Sequence, residues 1–144
     1  MLKKIPQILS PQLVKTLMEM GHGDEIVIAD GNFPNSSISK NVIRADGLSG
    51  TEILKDVLEL FPLDSYAPEQ VFLMEVVDGD NYVPKIWEEY KAILQESGET
   101  FKIEHLERFD FYERAKSAFA VVATGESALY ANLILKKGVV KPEK

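Results

Sequence analysis

The spacing of apolar residues along this chain, together with helix-start signals, predicts helices in four stretches. The clearest begins at Ser10 and Pro11, a capping residue followed by proline at the first helical position. It continues with Leu13, Leu17 and Met20 at spacings of four and three, which form one apolar stripe. On the same grounds we predict helices over 11–20, 51–61, 84–97 and 110–117.

Short continuous apolar runs predict the strands. The run Ile26-Val27-Ile28 lies within 25–29, and its continuity is typical of a strand buried on both faces. Similar runs predict strands over 71–77, 118–124 and 131–135, with a short extra strand over 102–106. The stretch 32–40 is rich in Asn, Ser and Pro and is predicted to be a loop. Because helices alternate with apolar strands, the sequence predicts an α/β fold with a single sheet covered on both faces.

Composition narrows the possible partners. The 144 residues and the 45% hydrophobic content are ordinary for one compact domain, which we expect to span 1–144. A net charge of −7 argues against nucleic acid and against an acidic membrane surface, so a small ligand or a protein partner remains. The chain has no cysteine, which agrees with a cytoplasmic protein. We expect neither a signal peptide nor a membrane span, because the first residues contain no long apolar run.

His22 lies between two glycines, after the first predicted helix and before a buried strand. Glycine neighbours leave the imidazole uncrowded, and this ring can donate or accept a proton near neutral pH. Asp30 follows the same strand directly. We therefore expect His22 and Asp30 at the same end of the molecule, where they suit proton transfer or binding of a polyhydroxylated ligand. The structural alternatives are a histidine that caps the helix and an aspartate in an Asx turn.

Other polar residues are placed to contact the same ligand. The turn Thr124-Gly125-Glu126 follows its own strand, so it shares a crevice with Asp30 if the two strands are parallel. Arg108 has several hydrogen-bond donors, although a surface ion pair with Glu104 or Glu107 is its alternative. Tyr130 and Asn132 flank a single residue at strand spacing, so we expect both side chains on one face.

Other catalytic motifs are absent from the sequence. It has no phosphate-binding glycine loop, no dinucleotide fingerprint and no nucleophile elbow. The two histidines, His22 and His105, lie far apart, which argues against a metal site, and we assign no role to His105. A reaction that needs only proton transfer is the simplest chemistry that these residues allow.

Several blocks of residues, in this order along the chain, resemble the ribose pyranase and fucose mutarotase family. The match covers nearly the whole chain, and the motifs Gly-His-Gly-Asp-Glu, Asn-Phe-Pro and Phe-Tyr-Glu-Arg-Ala resemble the fucose mutarotase branch more than the ribose pyranase branch. The segment 84–104 resembles the family only loosely. The matching blocks are MGHGDE (20–25), ADGNFP (29–34), IRADG (43–47), FPLD (61–64), RFDFYERA (108–115), ATGE (123–126) and YANLILKKGV (130–139).

The resemblance implies a fold, a reaction and an assembly. The fold is a single-domain, three-layer α/β/α arrangement with a mostly parallel or mixed central sheet. The reaction interconverts the α and β anomers of a free sugar, here L-fucose, without a cofactor or metal. Members of the family form homo-oligomers, often decamers in bacteria, with sites near subunit contacts. By position, His22 takes the role of proton donor, and the sugar-binding positions are Asp30, Arg108, Tyr130, Ala131 and Asn132.

Two other functions remain open at this point. A ribose-type pyranase would use the same acid-base groups on a different sugar. A non-catalytic sugar-binding or regulatory module would use the same polar crevice but would not need a titrating histidine.

Overall fold

The structure is a computed structural model that describes residues 1–143. In this part of the chain it has five helices and six strands. The helices are α1 (Pro11–Glu19), α2 (Asn35–Ile38), α3 (Gly50–Leu58), α4 (Ile86–Glu96) and α5 (Arg108–Lys116). The strands are β1 (Glu25–Ala29), β2 (Val42–Ala45), β3 (Val71–Met74), β4 (Ile103–Leu106), β5 (Ala120–Thr124) and β6 (Leu133–Lys136).

The strands form one mixed sheet in the order β2-β5-β1-β6-β3-β4. β5 is parallel to both β1 and β2, and β3 is parallel to β4. β6 lies between β1 and β3 and is antiparallel to both. The carboxyl ends of β1 to β5 therefore share one edge with the amino end of β6. We call this the upper edge and the opposite one the lower edge.

Alternate residues of each strand face two separate apolar layers. Ile26 and Ile28 of β1 pack into a cluster with side chains of α1, α3 and α4. Val27 and Ala29 pack into a second cluster on the other face with Phe33 and residues of α5. This arrangement confirms the three-layer α/β/α fold and the mixed sheet. None of the helices in residues 1–143 has the length and the apolar character needed to cross a membrane.

Most predicted elements are found near their expected positions. Ser10 caps α1 by accepting a hydrogen bond from the N–H of Leu13 at 3.1 Å, and β1 has the predicted bounds. Ser49 and Glu52 form a reciprocal capping box at the start of α3. These short-range signals place the helix starts that position the rest of the fold.

Several boundaries differ from the prediction. α5 begins at Arg108 rather than at 110, because the side chain of Glu107 accepts hydrogen bonds from N–H groups of the first turn. The predicted loop 32–40 contains the one-turn helix α2, and β2 follows it at the edge of the sheet without having been predicted. β3 ends at Met74, earlier than predicted. β6 begins at Leu133 rather than at 131.

Candidate active site

A pocket of about 260 Å³, lined by both polar and apolar side chains, opens at the upper edge of the sheet. It lies beyond the carboxyl ends of β1, β3 and β4 and at the amino end of β6, where α/β sheets commonly bind ligands. Its volume lies just below the usual range for ligand pockets, which suits a small molecule. Its polar wall includes Asp30, Asp80, Arg108, Tyr112, Tyr130 and Asn132.

Asp30 and Asn132 form the buried floor of the pocket. Asp30 is only 3% exposed, and its carboxylate accepts the N–H groups of Asn32 at 3.0 Å and Ala131 at 3.3 Å. Burial raises the pKa of Asp30 above its ordinary value, although these backbone hydrogen bonds act against the rise. The N–H of Asp30 donates to Oδ1 of Asn132 at 2.7 Å, which leaves Nδ2 of Asn132 available as a donor. The floor therefore offers an acceptor and a donor side by side.

Helix α4 holds the backbone that leads into the pocket. The indole N–H of Trp87 donates to the carbonyl of Tyr130, and the hydroxyl of Tyr90 donates to the carbonyl of Ala131, both at 2.8 Å. Gly50 of α3 makes room for Tyr90, because a Cβ at this position would lie 2.3 Å from the phenol oxygen. Ala131 is buried and uses both of its backbone polar groups inside the protein. Although predicted as a binding residue, it does not line the pocket.

Tyr130 does not belong to strand β6, so the strand spacing used to pair it with Asn132 is wrong. It precedes the strand with a φ of +56°, a left-handed conformation that is uncommon for a residue with a side chain. Tyr130 and Asn132 nevertheless line the same pocket. The hydroxyl of Tyr130 donates to Oδ2 of Asp80 at 2.6 Å, a contact that the sequence did not suggest.

We expect Tyr90→Phe to lower the free energy of unfolding by about 1–3 kcal/mol, because the buried carbonyl of Ala131 loses its donor. Urea unfolding followed by the fluorescence of the single tryptophan would measure this change. Tyr66→Phe is the matched control, because Tyr66 is 68% exposed. Equal stability of Tyr90→Phe and the control would contradict a role for this hydrogen bond in holding the segment.

Arg108 lies at the rim of the pocket, at the first position of α5. Its Nε donates to the hydroxyl of Tyr112 at 3.2 Å, and its guanidinium lies 5.4 Å from the ring centroids of both Phe109 and Tyr112. Among the described residues it forms no ion pair with Glu104 or Glu107, the predicted alternative. These contacts orient the guanidinium of Arg108 and leave its terminal N–H groups available to a ligand.

His22 lies at the lower edge of the sheet, away from the pocket. It precedes β1 whereas Asp30 follows it, so five strand residues, about 16 Å of extended backbone, separate the two positions. The expectation that His22 and Asp30 lie at the same end of the molecule is therefore wrong, because a strand carries its flanking turns to opposite edges. His22 cannot reach the pocket of its own chain.

The partner of His22 is Asp64, which sequence reasoning did not identify as a functional residue. Nε2 of His22 donates to Oδ1 of Asp64 at 2.8 Å, and the N–H of Tyr66 donates to the same oxygen at 3.1 Å. Burial acts to raise the pKa of Asp64, but these hydrogen bonds and the charges of His22 and Lys136 outweigh it and hold the pKa below its ordinary value. The pair orients the ring and leaves Nδ1 available on a side chain that is 46% exposed. The two residues are 42 positions apart, so no local pattern could have paired them.

The turn after β5 supports the fold rather than the pocket. β1 and β5 are parallel, as the prediction required. The carboxylate of Glu126, however, accepts the N–H groups of Gly50 at 3.1 Å and Ala128 at 3.0 Å. The hydroxyl of Thr124 donates to the carbonyl of Ala29 at 2.6 Å. This turn therefore ties α3 and β1 together and is not part of the pocket wall.

Two other parts of the molecule bear on ligand binding. A groove of about 680 Å³ is lined mainly by apolar side chains of the first residues and of α1, such as Leu2 and Met18. It offers apolar contact rather than proton donors and acceptors arranged around a ligand. Within residues 1–143, no three histidine, aspartate or glutamate side chains gather as a metal-ion site would need.

Comparison with known proteins assigns this chain to a family. Residues 3–140 match the RbsD / FucU transport protein family. The chain belongs to this family. The match confirms the resemblance drawn from the ordered sequence blocks, and it extends over nearly the whole chain.

Within the RbsD / FucU family, the chain is more similar to fucose mutarotases than to RbsD. The fucose mutarotase of Danio rerio is 53% identical over 149 residues, covering 99% of this chain and 96% of that protein. The crystal structure of the Streptococcus pneumoniae fucose mutarotase in complex with L-fucose has a TM-score of 0.93 and 54% identity, covering 97% of this chain and 100% of that one. RbsD of Bacillus subtilis in complex with D-ribose has a TM-score of 0.69 and 28% identity, covering 92% and 95%.

Proposed function

We propose that this protein is a mutarotase that interconverts the α and β anomers of L-fucose. The observation that carries this proposal is its similarity, over 97% of its length, to a fucose mutarotase whose crystal structure holds L-fucose. The pocket at the upper edge supports it, because a sugar presents several hydroxyl groups that need both donors and acceptors.

Different pocket residues form hydrogen bonds with different hydroxyl groups of the sugar. Asp30 accepts hydrogen bonds from sugar hydroxyls, and Asn132 and Arg108 donate to others. Tyr130 supplies a phenol oxygen at the wall. These groups hold the pyranose in one orientation, which reduces the entropic cost of the reaction.

His22 is the proton donor in this proposal. A pyranose opens when its ring oxygen gains a proton and its anomeric hydroxyl loses one. The aldehyde then rotates about the C1–C2 bond, and the ring closes on the other face. Positioned acid-base groups typically accelerate such steps by about 10²- to 10⁴-fold, so the proposed reaction needs no cofactor.

Because His22 lies at the lower edge, it has to act on the pocket of another copy of the chain. A lower edge that meets the upper edge of a neighbour is a head-to-tail contact, and repeated head-to-tail contacts form a ring when the rotation between neighbours closes. We therefore propose a ring-forming homo-oligomer in which each site takes its histidine from one subunit and its sugar-binding residues from the next. The resemblance to bacterial members favours a decamer, and the absence of cysteine agrees with work in the reducing cytoplasm.

We expect the protein in catalytic amounts to produce exchange cross-peaks between the α and β anomeric protons of L-fucose in NMR exchange spectroscopy. D-ribose at equal concentration is the matched comparison, because a ribose-type pyranase would exchange ribose faster than L-fucose. Binding of L-fucose without exchange above the buffer rate would instead identify a sugar-binding module. Either result would overturn the proposed function.

A further inference from the structure

Asp80 is a charged side chain of the pocket wall to which neither the sequence pattern nor the family resemblance assigns a role. It lies in the segment 75–85, between β3 and α4, outside the blocks of residues that carry the family resemblance. Its Oδ2 accepts the hydroxyl of Tyr130 at 2.6 Å, and its Oδ1 accepts the N–H of Tyr82 at 2.9 Å. Both oxygens are thereby fixed, and the carboxylate is aimed at the phenol.

The surroundings hold Tyr130 in the conformation that meets Asp80. The carbonyl of Tyr130 accepts the indole N–H of Trp87, which supports the left-handed backbone at this position. The ring of Tyr82 stacks on that of Tyr130 with a centroid separation of 6.0 Å and an interplanar angle of 28°. Contacts to the backbone carbonyl, the ring face and the hydroxyl of Tyr130 therefore fix the position of its phenol.

This geometry determines how the phenol can act on a sugar. A neutral phenol can take up a proton only if it passes its own proton to another base at the same time. The hydroxyl proton of Tyr130 already lies on the line to Asp80, so the phenol oxygen offers its lone pairs to a ligand. Two other donors at the wall, Arg108 and Nδ2 of Asn132, cannot accept a proton.

We propose that Tyr130 and Asp80 form a relay that removes the anomeric proton during ring opening. This inference rests on the proposed mutarotase function. The O–H bond of the anomeric hydroxyl breaks and its proton moves to the phenol oxygen, while the phenol proton moves to Oδ2 of Asp80. The C1–O5 bond breaks, C1 becomes a carbonyl carbon, and O5 takes a proton from the acid of the site. Ring closure runs the same transfers in reverse, so no co-reactant is consumed.

In this relay Tyr130 touches the sugar, and Asp80 acts through it as a positioning residue. Asp30 is the competing base of the pocket, but both of its oxygens accept backbone N–H groups and none is aimed at a proton-carrying side chain. The relay therefore predicts that the charge and basicity of residue 80 matter, and not only its shape.

Asp80→Asn tests this directly, because the amide oxygen can still accept the phenol hydrogen bond but cannot take up the proton. We expect the maximal rate of L-fucose exchange to fall about 10-fold or more, with little change in the sugar concentration at half-maximal rate. Tyr130→Phe should lose at least as much, and the double variant should lose no more than Tyr130→Phe alone. Asp78→Asn, a substitution at an exposed aspartate of the same segment, should exchange at the wild-type rate.

The outcomes separate this inference from the proposed function. If wild type and Asp78→Asn exchange L-fucose and Asp80→Asn does so equally fast, the relay is wrong and the mutarotase function stands. Multiplicative losses of Asp80→Asn and Tyr130→Phe in the double variant would likewise overturn the relay. If wild type itself exchanges no sugar, the proposed function fails and the relay fails with it.

Discussion

Replacing His22 by glutamine is expected to lower the rate of L-fucose anomer exchange by about 10²- to 10⁴-fold, the usual contribution of a positioned acid. Glutamine can keep a hydrogen bond to Asp64 through its amide, so the turn before β1 stays in place. It cannot deliver a proton to the ring oxygen of a sugar. NMR exchange spectroscopy at fixed chain concentration measures the loss, and binding of L-fucose should persist because the sugar-binding side chains are unchanged.

His105→Gln is the matched control for this variant. His105 is the other histidine of the chain; it lies on β4, it is exposed, and its ring contacts Trp87 at a centroid distance of 4.9 Å. It does not line the pocket, so we expect an exchange rate close to that of wild type. Equal rates of exchange in the His22 and His105 variants would show that His22 is not the proton donor.

The elements that the sequence predicted are those whose signals are local. The signals of α1 are its cap, Ser10, and its apolar stripe, and the signal of β1 is its continuous apolar run. Each of these signals lies within a short stretch of sequence. α2 has a single turn and no side-chain cap, and β2 lies at the edge of the sheet with exposed Arg44. Neither has the apolar periodicity that would predict it. Their positions are set by pairing and packing with the rest of the fold.

The pocket was predictable where a side chain lies at the end of an apolar strand or within a recognisable motif. Asp30 and Arg108 reach the pocket for these reasons. Asp64 and Asp80 were missed because their partners lie 42 and 50 positions away, so only the completed sheet brings each pair together. The position of His22 was predicted wrongly, because the two turns that flank one strand were treated as neighbours.

Because His22 and the pocket lie at opposite edges of the sheet, a variant of His22 and a variant of the pocket should restore each other's exchange activity in mixed oligomers. Arg108→Ala should weaken sugar binding and lower exchange at low sugar about 10-fold or more, because hydrogen bonds from a charged donor are lost. A chain with His22→Gln and a chain with Arg108→Ala are then each deficient, but for different halves of the site. Assembled together, the first chain supplies an intact pocket and the second supplies an intact histidine.

We expect oligomers assembled from equal amounts of these two variants to recover exchange. Random assortment pairs an intact histidine with an intact neighbouring pocket in about a quarter of the sites, so the rate per chain should approach a quarter of the wild-type rate. Co-expression followed by purification of mixed oligomers provides the sample. The double variant, His22→Gln with Arg108→Ala, assembled with itself is the control and should stay at the lower rate.

This experiment distinguishes a site formed within one chain from a site shared between two chains, because the two predict different exchange rates for the same mixture. A site formed within one chain leaves every chain defective, so the mixture gives only the average of the separate variants. A site shared between chains creates intact sites that neither variant has alone. The strand between His22 and Asp30 makes the shared site the expected result, since about 16 Å of rigid sheet cannot close to bring both onto one sugar. A mixture that gives only that average would therefore show that His22 does not act on a neighbouring pocket.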